Sequence, residues 1–342
     1  MSMRHFFFLL LLSIFAGIAG VAAYQDSALR NSRMLQPAQP LSREAYINAR
    51  DFFVAIVNNQ DPKIALQQLR EQTTTDDSLL RSCHVLTHDI GHAAHEKYKD
   101  FAAAISYQND ICNSGYLHGV IESHFSTSAD FSQAVKTVCD KYPGEKFLSW
   151  ECYHGVGHGL MFYTDNDLPR SLALCDAYDT DFAKGNCANG VFMENFNSDA
   201  KMHPSKFLNP DDPFYPCREQ KQNQKGNCYF YAPEYYLHLH PNDYAGALGW
   251  CKTAELPFRQ TCAANVGGNT MIQNIHNPKF AEAVCMAGSP EQKIPCIGGM
   301  VMLFINHHGS PEPARALCER LETANRPTCY ATIEQNAPLF EK

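Results

Sequence analysis

The sequence predicts an all-α fold, an α/α-repeat solenoid braced by disulfides, and three observations carry that reading. The cysteines fall into pairs at 139/152, 175/187, 217/228, 251/262, 285/296 and 318/329, and the last four intervals are each eleven residues. The second cysteines recur 33 to 41 positions apart from Cys112 onward. Finally, each first cysteine ends a short helical pattern ("FSQAVKTVC", "YAGALGWC", "FAEAVC"). Each second one opens another ("CYHGVGHGLMF", "CANGVFMENF", "CIGGMVMLFI"), after a polar loop with Pro, Gly, Asn or Lys. A helix pair repeating at this length is the signature of a helical solenoid.

In chain order, the first stretch is "MSMRHFFFLLLLSIFAGIAGVAAYQ". Arg4 supplies a positive n-region, residues 6 to 17 an apolar core and Val21-Ala22-Ala23 a small-residue cleavage site. Residues 1–23 therefore read as a secretory signal peptide or, uncleaved, as a membrane anchor. Residues 24–41 read as a linker and residues 42–337 as the helical-repeat domain. A helix is expected over 42 to 58. Asp61-Pro62 gives a cap and a first-turn proline ahead of "KIALQQLREQ". Asp76 or Asp77 then caps the helix carrying "CHVLTHDIGHAAH". The segment 202–217, with Pro204, Pro210, Pro213 and Pro216 and little periodicity, reads as an ordered insertion that bends around the array or covers its concave face.

Fourteen cysteines, an even number, all lie beyond residue 80, and no C-x-x-C pair occurs. In an exported chain this implies a disulfide framework, not a thiolate metal site. Pairing within each helix pair leaves Cys83 and Cys112, which open two successive helices of the same kind and can be bridged if those helices lie side by side. Each bridge over a loop of this length contributes on the order of 2 to 4 kcal/mol. Over residues 80 to 336 the period and helix pairing resemble those of the tetratricopeptide and Sel1-like families, especially their disulfide-rich secreted members. The Trp-Leu-Gly-Tyr positions of the former are absent and the Ala/Gly pattern of the latter is partial. The resemblance implies a fold class and no activity.

Histidine placement points to function. Aligning the helices on their second cysteines puts His118 and His158 six residues after Cys112 and Cys152, with Met193 and Glu234 at the matching places later. Displaced by one residue, the first helix puts His88 in the same column. One turn earlier stand His84, Ser114, His154 and Asn189; one turn later stand His92, Glu122, Phe162 and Asn197. Residues four apart share a helix face. His84, His88 and His92 therefore form one stripe, His118 and Glu122 a second, His154 and His158 a third.

Seven ligand-type side chains on three neighbouring helices suit a metal, and an i, i+4 pair is how one helix gives an ion two ligands. With the thiols oxidised, imidazole and carboxylate favour a transition metal ion (Zn, Fe or Cu), as one ion or a dinuclear centre. Asp89 and Glu194 are the candidate catalytic groups, for proton transfer or for orienting ligands. His95, His124, His238/His240 and His307/His308 lie off the stripes and read as solvated.

The function expected is an exported metalloenzyme, a hydrolase or oxidoreductase. The alternatives are a scaffold binding protein or peptide, a metal store or sensor, and, from the local likeness of "THDIGH", an HD-type phosphohydrolase. The formal charge of −8 with 28 basic residues excludes nucleic acid as a main partner. The partner is then an unidentified substrate or protein. The leader and cysteines place the protein outside the cytosol, periplasmic or secreted, with membrane attachment only through an uncleaved N-terminus.

Peptide mapping without reduction is expected to recover the six short-range pairs and Cys83–Cys112. Cross-links that skip a helix pair, or several free thiols, would contradict the pairing.

Overall fold

The computed structural model describes residues 39–109, 111–142, 146–198 and 205–341. The signal or anchor, most of the linker and Met202–Pro204 of the insertion lie outside them. Every regular element among the described residues is helical. The chain opens with α1 (Arg43–Asn59), α2 (Pro62–Thr73) and the long α3 (Asp77–Tyr98). Short and long helices then alternate: α4 (Phe101–Ile105), α5 (Ile111–Thr127), α6 (Phe131–Thr137), α7 (Lys146–Tyr163), α8 (Leu168–Cys175) and α9 (Asp181–Asn197). After the insertion come α10 (Gln222–Leu239), α11 (Tyr244–Cys251), α12 (Arg259–Gln273), α13 (Pro278–Ala287), α14 (Pro290–His308), α15 (Glu312–Arg320) and α16 (Arg326–Asn336).

Local chemistry starts these helices where the sequence marks them. The Ser42 side chain accepts from Ala45 N. That of Asp61 accepts from Ile64 N ahead of Pro62, and that of Asp76 from Ser78 and Leu79 N. Each satisfies donors that the first turn leaves unpaired. Helix α5 departs from expectation. Cys112, Asn113 and Ser114 are left-handed, with φ of 54°, 56° and 54°, so regular helix begins only after them. For residues with a β-carbon this costs roughly 1–2 kcal/mol each. The turn aims the Cys112 carbonyl at α3.

All seven expected cysteine pairs form, with Cα atoms 5.3 to 5.7 Å apart. They point to an oxidising environment. Among the described residues no helix is long and apolar enough to cross a membrane.

The long helices pack in chain order, α3 on α5, α5 on α7, and so on through α9, α10, α12 and α14. The array also curls until its ends meet: α14 packs on α5 and α12 touches α3. The long helices thus surround a common interior. The insertion takes the place of a short helix between α9 and α10, because its prolines forbid one. Phe214, fully buried, stacks on Trp250 of α11 with centroids 3.6 Å apart.

Three helix contacts are unusually close, and glycine makes them so. A β-carbon on Gly119 would strike the His88 carbonyl, one on Gly190 the His154 carbonyl, and one on Gly299 the Ala264 carbonyl. These lie between α5 and α3, α9 and α7, and α14 and α12. Gly299→Ala should therefore lower stability by about 1–3 kcal/mol through overpacking. Gly226→Ala, whose β-carbon would meet nothing within 4 Å on α10, should raise it by up to about 1 kcal/mol through helix propensity. Thermal unfolding of the two variants checks the pair; equal effects would contradict the close contact.

Candidate metal centre

Two of the glycine contacts frame a cluster of five imidazoles. His84 and His88 come from α3, His118 from α5, His154 and His158 from α7. Ligand atoms of His84, His88 and His118 lie within 4.8 Å of one another, as do those of His118, His154 and His158. His118 belongs to both triplets. Its ring centre is 5.4 Å from those of His84 and His88, 5.2 Å from that of His154 and 4.8 Å from that of His158. His118, His154 and His158 are almost wholly buried.

Each i, i+4 pair turns its Nε2 atoms on each other, at 3.2 Å for His84 and His88 and 3.1 Å for His154 and His158. The Nδ1 atoms are tied back to oxygen. His84 Nδ1 donates to the Cys112 carbonyl at 2.8 Å and His88 Nδ1 to Glu122 at 3.0 Å. His154 Nδ1 donates to Asn189 Oδ1 at 2.8 Å and His158 Nδ1 to Glu194 at 2.8 Å. Asn189 is fixed in that sense because Oδ1 also accepts from Tyr231 while Nδ2 donates to Asn227. A carbonyl or carboxylate oxygen only accepts here, so each Nδ1 carries the hydrogen. A neutral ring then presents a bare lone pair at Nε2. With both rings neutral two lone pairs face each other, so each pair is resolved either by a proton on one of its rings or by a metal cation between or beside them.

The supporting groups follow a rule: each helix of the trio is held by the next. Glu122 on α5 serves His88 on α3. Glu151 on α7 stands 3.5 Å from His118 Nε2 on α5. Glu194 on α9 serves His158 on α7. Carboxylate or carbonyl behind imidazole is the usual way a metal-binding ring is oriented and made more basic. Neither nitrogen of His118 makes a hydrogen bond among the described residues, and leaving buried polar groups so costs roughly 1–3 kcal/mol.

Electrostatics divide the cluster between rings held neutral and one, His88, that favours its proton. Burial, reinforced by His88, pushes His84 down to about 3. Burial and the neighbouring imidazoles likewise hold His118 and His154 well below the usual histidine range. For His88, burial pulls down but Glu122 outweighs it, and the value rises. Glu122, despite burial, is held well below the carboxylate range by His88 and His92.

Of the nine residues singled out in the sequence, five converge and four do not. Glu122 and Glu194 stand behind the rings. His92 Nε2 donates to Glu122 at 2.7 Å, its side chain 30% exposed. Asp89 faces the other way and accepts from Tyr46 Oη of α1 at 2.5 Å. His95, read as solvated, is buried with its Nδ1 on Ser123 Oγ at 2.9 Å. The cause is the helical repeat: at 3.6 residues per turn His92 drifts about 80° from His84, while His95 returns to within about 20°. His124 is half-buried against Phe101, whereas His238, His240 and His308 are exposed. Glu151 was missed, although its spacing of three and seven before His154 and His158 puts it on their stripe.

A chamber of about 90 Å³ opens beside the cluster, with His84 and His154 in its wall. Comparison with family models, with curated proteins and with solved structures finds no match for this chain. The likeness to tetratricopeptide and Sel1-like repeats is thus one of period and pairing alone.

A depressed imidazole makes the folded state bind fewer protons than the unfolded chain below the ordinary value of about 6.5. Its contribution is present above that value and is lost as pH falls toward the folded one. His84, His118 and His154 share this sign, and Glu122 adds a loss at lower pH; raised His88 has the opposite sign and offsets part. For His84 the loss between pH 7 and 5 is about 2 kcal/mol. Urea unfolding of metal-free, disulfide-intact protein should therefore show lower stability at pH 5 than at pH 7. Equal stability at the two pH values would contradict the buried, neutral state.

Proposed function

We propose that the protein is an exported metal-dependent enzyme whose centre holds one or two transition ions on His84, His88, His118, His154 and His158. The observation that carries this reading is the two pairs of facing Nε2 atoms, with the Nδ1 atoms of His84, His88, His154 and His158 each committed to oxygen. Protons alone satisfy the cluster poorly. Imidazolium at both His88 and His158, whose ring centres are 5.7 Å apart, would cost about 3 kcal/mol in mutual repulsion at an effective dielectric near 20. A dication bound to each pair neutralises both lone pairs at once, and Glu122, Glu151 and Glu194 surround the site with the balancing charge.

Imidazole-dominated ligation favours zinc, copper or iron over calcium or magnesium. Two triplets sharing His118 suit a dinuclear centre, which supplies either a metal-bound water of lowered pKa for hydrolysis or, with a redox-active metal, oxygen chemistry. Glu194 and Glu122 orient the rings; Glu151, beside His118 and in the chamber wall, is the best-placed group to handle a proton. The small size of the chamber supports a small substrate over a peptide-binding scaffold, and the buried ligands support a fixed centre over a metal store. An HD-type phosphohydrolase is not favoured, because Asp89 is engaged by Tyr46 away from the imidazoles. We read the fold as a repeat of helix pairs curled until it closes, and the disulfides together with the leader pattern favour a periplasmic or secreted location.

Elemental analysis after dialysis should find about one to two transition-metal equivalents per chain, the number a mono- or dinuclear centre requires. His118→Ala and His158→Ala, shown to be folded by helicity and intact disulfides, should lose most of it. Unchanged content in both variants, or no transition metal in the wild type, would overturn the proposal.

A further inference from the structure

The chamber has its own chemistry, and it is one-sided. The described residues lining it include no lysine or arginine. Its polar wall includes three amide oxygens that have no donor. Asn265, 2% exposed on α12, donates its Nδ2 to Glu234 Oε1 at 2.9 Å, which leaves its buried Oδ1 with no hydrogen-bond partner. Asn269, one turn on, also bonds Glu234, and its Oδ1 is likewise without a partner. Asn113, placed by the left-handed turn of α5, presents a third such oxygen. Buried amide oxygens in this state are rare in folded proteins and ask for donors.

We infer that this chamber is the substrate pocket and that it takes a small neutral polyol, a molecule whose hydroxyl groups donate to Asn113, Asn265 and Asn269. Anionic substrates are disfavoured, since Glu151 and Glu234 are in the wall and no cationic side chain answers them. An ammonium ion is disfavoured too. Glu234 already accepts from Asn197 as well as from Asn265 and Asn269, so it is no free counter-ion. The faces of Trp150 and Phe230 supply apolar surface for the carbon skeleton. By a measure of 10–15 Å³ per water, the volume holds roughly six to nine water-sized groups, the size of a three- or four-carbon polyol. His84 and His154, one from each facing pair, look into the chamber, so a hydroxyl group there lies against the ions proposed above.

The identity of the substrate rests on the metal reading, but the pocket can be tested apart from it. Glycerol, erythritol and threitol are titrated calorimetrically into full-length protein, as purified and after chelation, with metal content measured on each sample. Acetate, phosphate and ethylammonium serve as the anionic and cationic controls. Saturable binding of a polyol and none of the controls is expected. Asn265→Ala should weaken it about threefold to tenfold, the value of one neutral hydrogen bond. Met193→Phe, which fills the chamber from α9, should abolish it, and both variants should keep the metal content of the wild type. If Asn265→Ala fails to fold, Met193→Phe alone decides. Polyol binding by protein that holds no metal as purified would sustain the pocket and remove the metal centre. Metal without binding of any of the three polyols, binding of the controls instead, or binding unaffected by Met193→Phe would overturn the inference.

Discussion

Backbone-to-backbone contact between long helices is the constraint on which the centre depends. Imidazoles on α3, α5 and α7 meet because Gly115 and Gly119 let α5 lie against the carbonyls of His84 and His88, and because Gly155 leaves room on α7 for the His118 ring. A β-carbon at Gly115 or Gly119 would meet the α3 backbone well inside contact distance and force the two helices apart. The same device joins α7 to α9 through Gly157 and Gly190, and there it brings Asn189 and Glu194 up behind His154 and His158. The glycines of "HGVGHG" are therefore packing residues, and the function of the histidines follows from them.

Disulfides and glycines divide the structural labour. A bridge from Cys83 to Cys112 fixes the starts of α3 and α5 side by side, so His84 meets the Cys112 carbonyl at the point where the backbone is left-handed. Strain of that kind persists where surrounding structure over-determines it. Here a covalent bridge, a buried histidine and the chamber wall all converge on the same three residues. Farther along, the eleven-residue bridges hold each short helix to its long partner, leaving the long helices to curl around the interior.

Much of this was legible in the sequence because the determinants are local and periodic. Cysteine spacing marked six pairs and elimination the seventh, and the helix expected from residue 42 and the caps at Asp61 and at Asp76 or Asp77 placed helix starts within a residue. The aligned columns picked out all five converging imidazoles. What escaped had a long-range or angular cause. Counting strictly in fours assigned His92 to the stripe and excluded His95, the reverse of what a 100° step requires. Glu122 and Glu194 carried the right chemistry, but their position behind the rings depends on the offset between neighbouring helices, which no single helix encodes. Closure of the array was invisible for the same reason, since α14 meets α5 across most of the chain. The acceptor-lined chamber exists only once that closure has occurred.

The metal proposed between the facing Nε2 atoms has a defined first shell. X-ray absorption at the edge of the metal that copurifies with the protein reads that shell directly. Ligation by these histidines requires a first shell dominated by nitrogen at about 2.0–2.1 Å, as for histidine on zinc, with the outer-shell scattering of several imidazole rings. A shell of oxygen alone, or one containing sulfur, would contradict it.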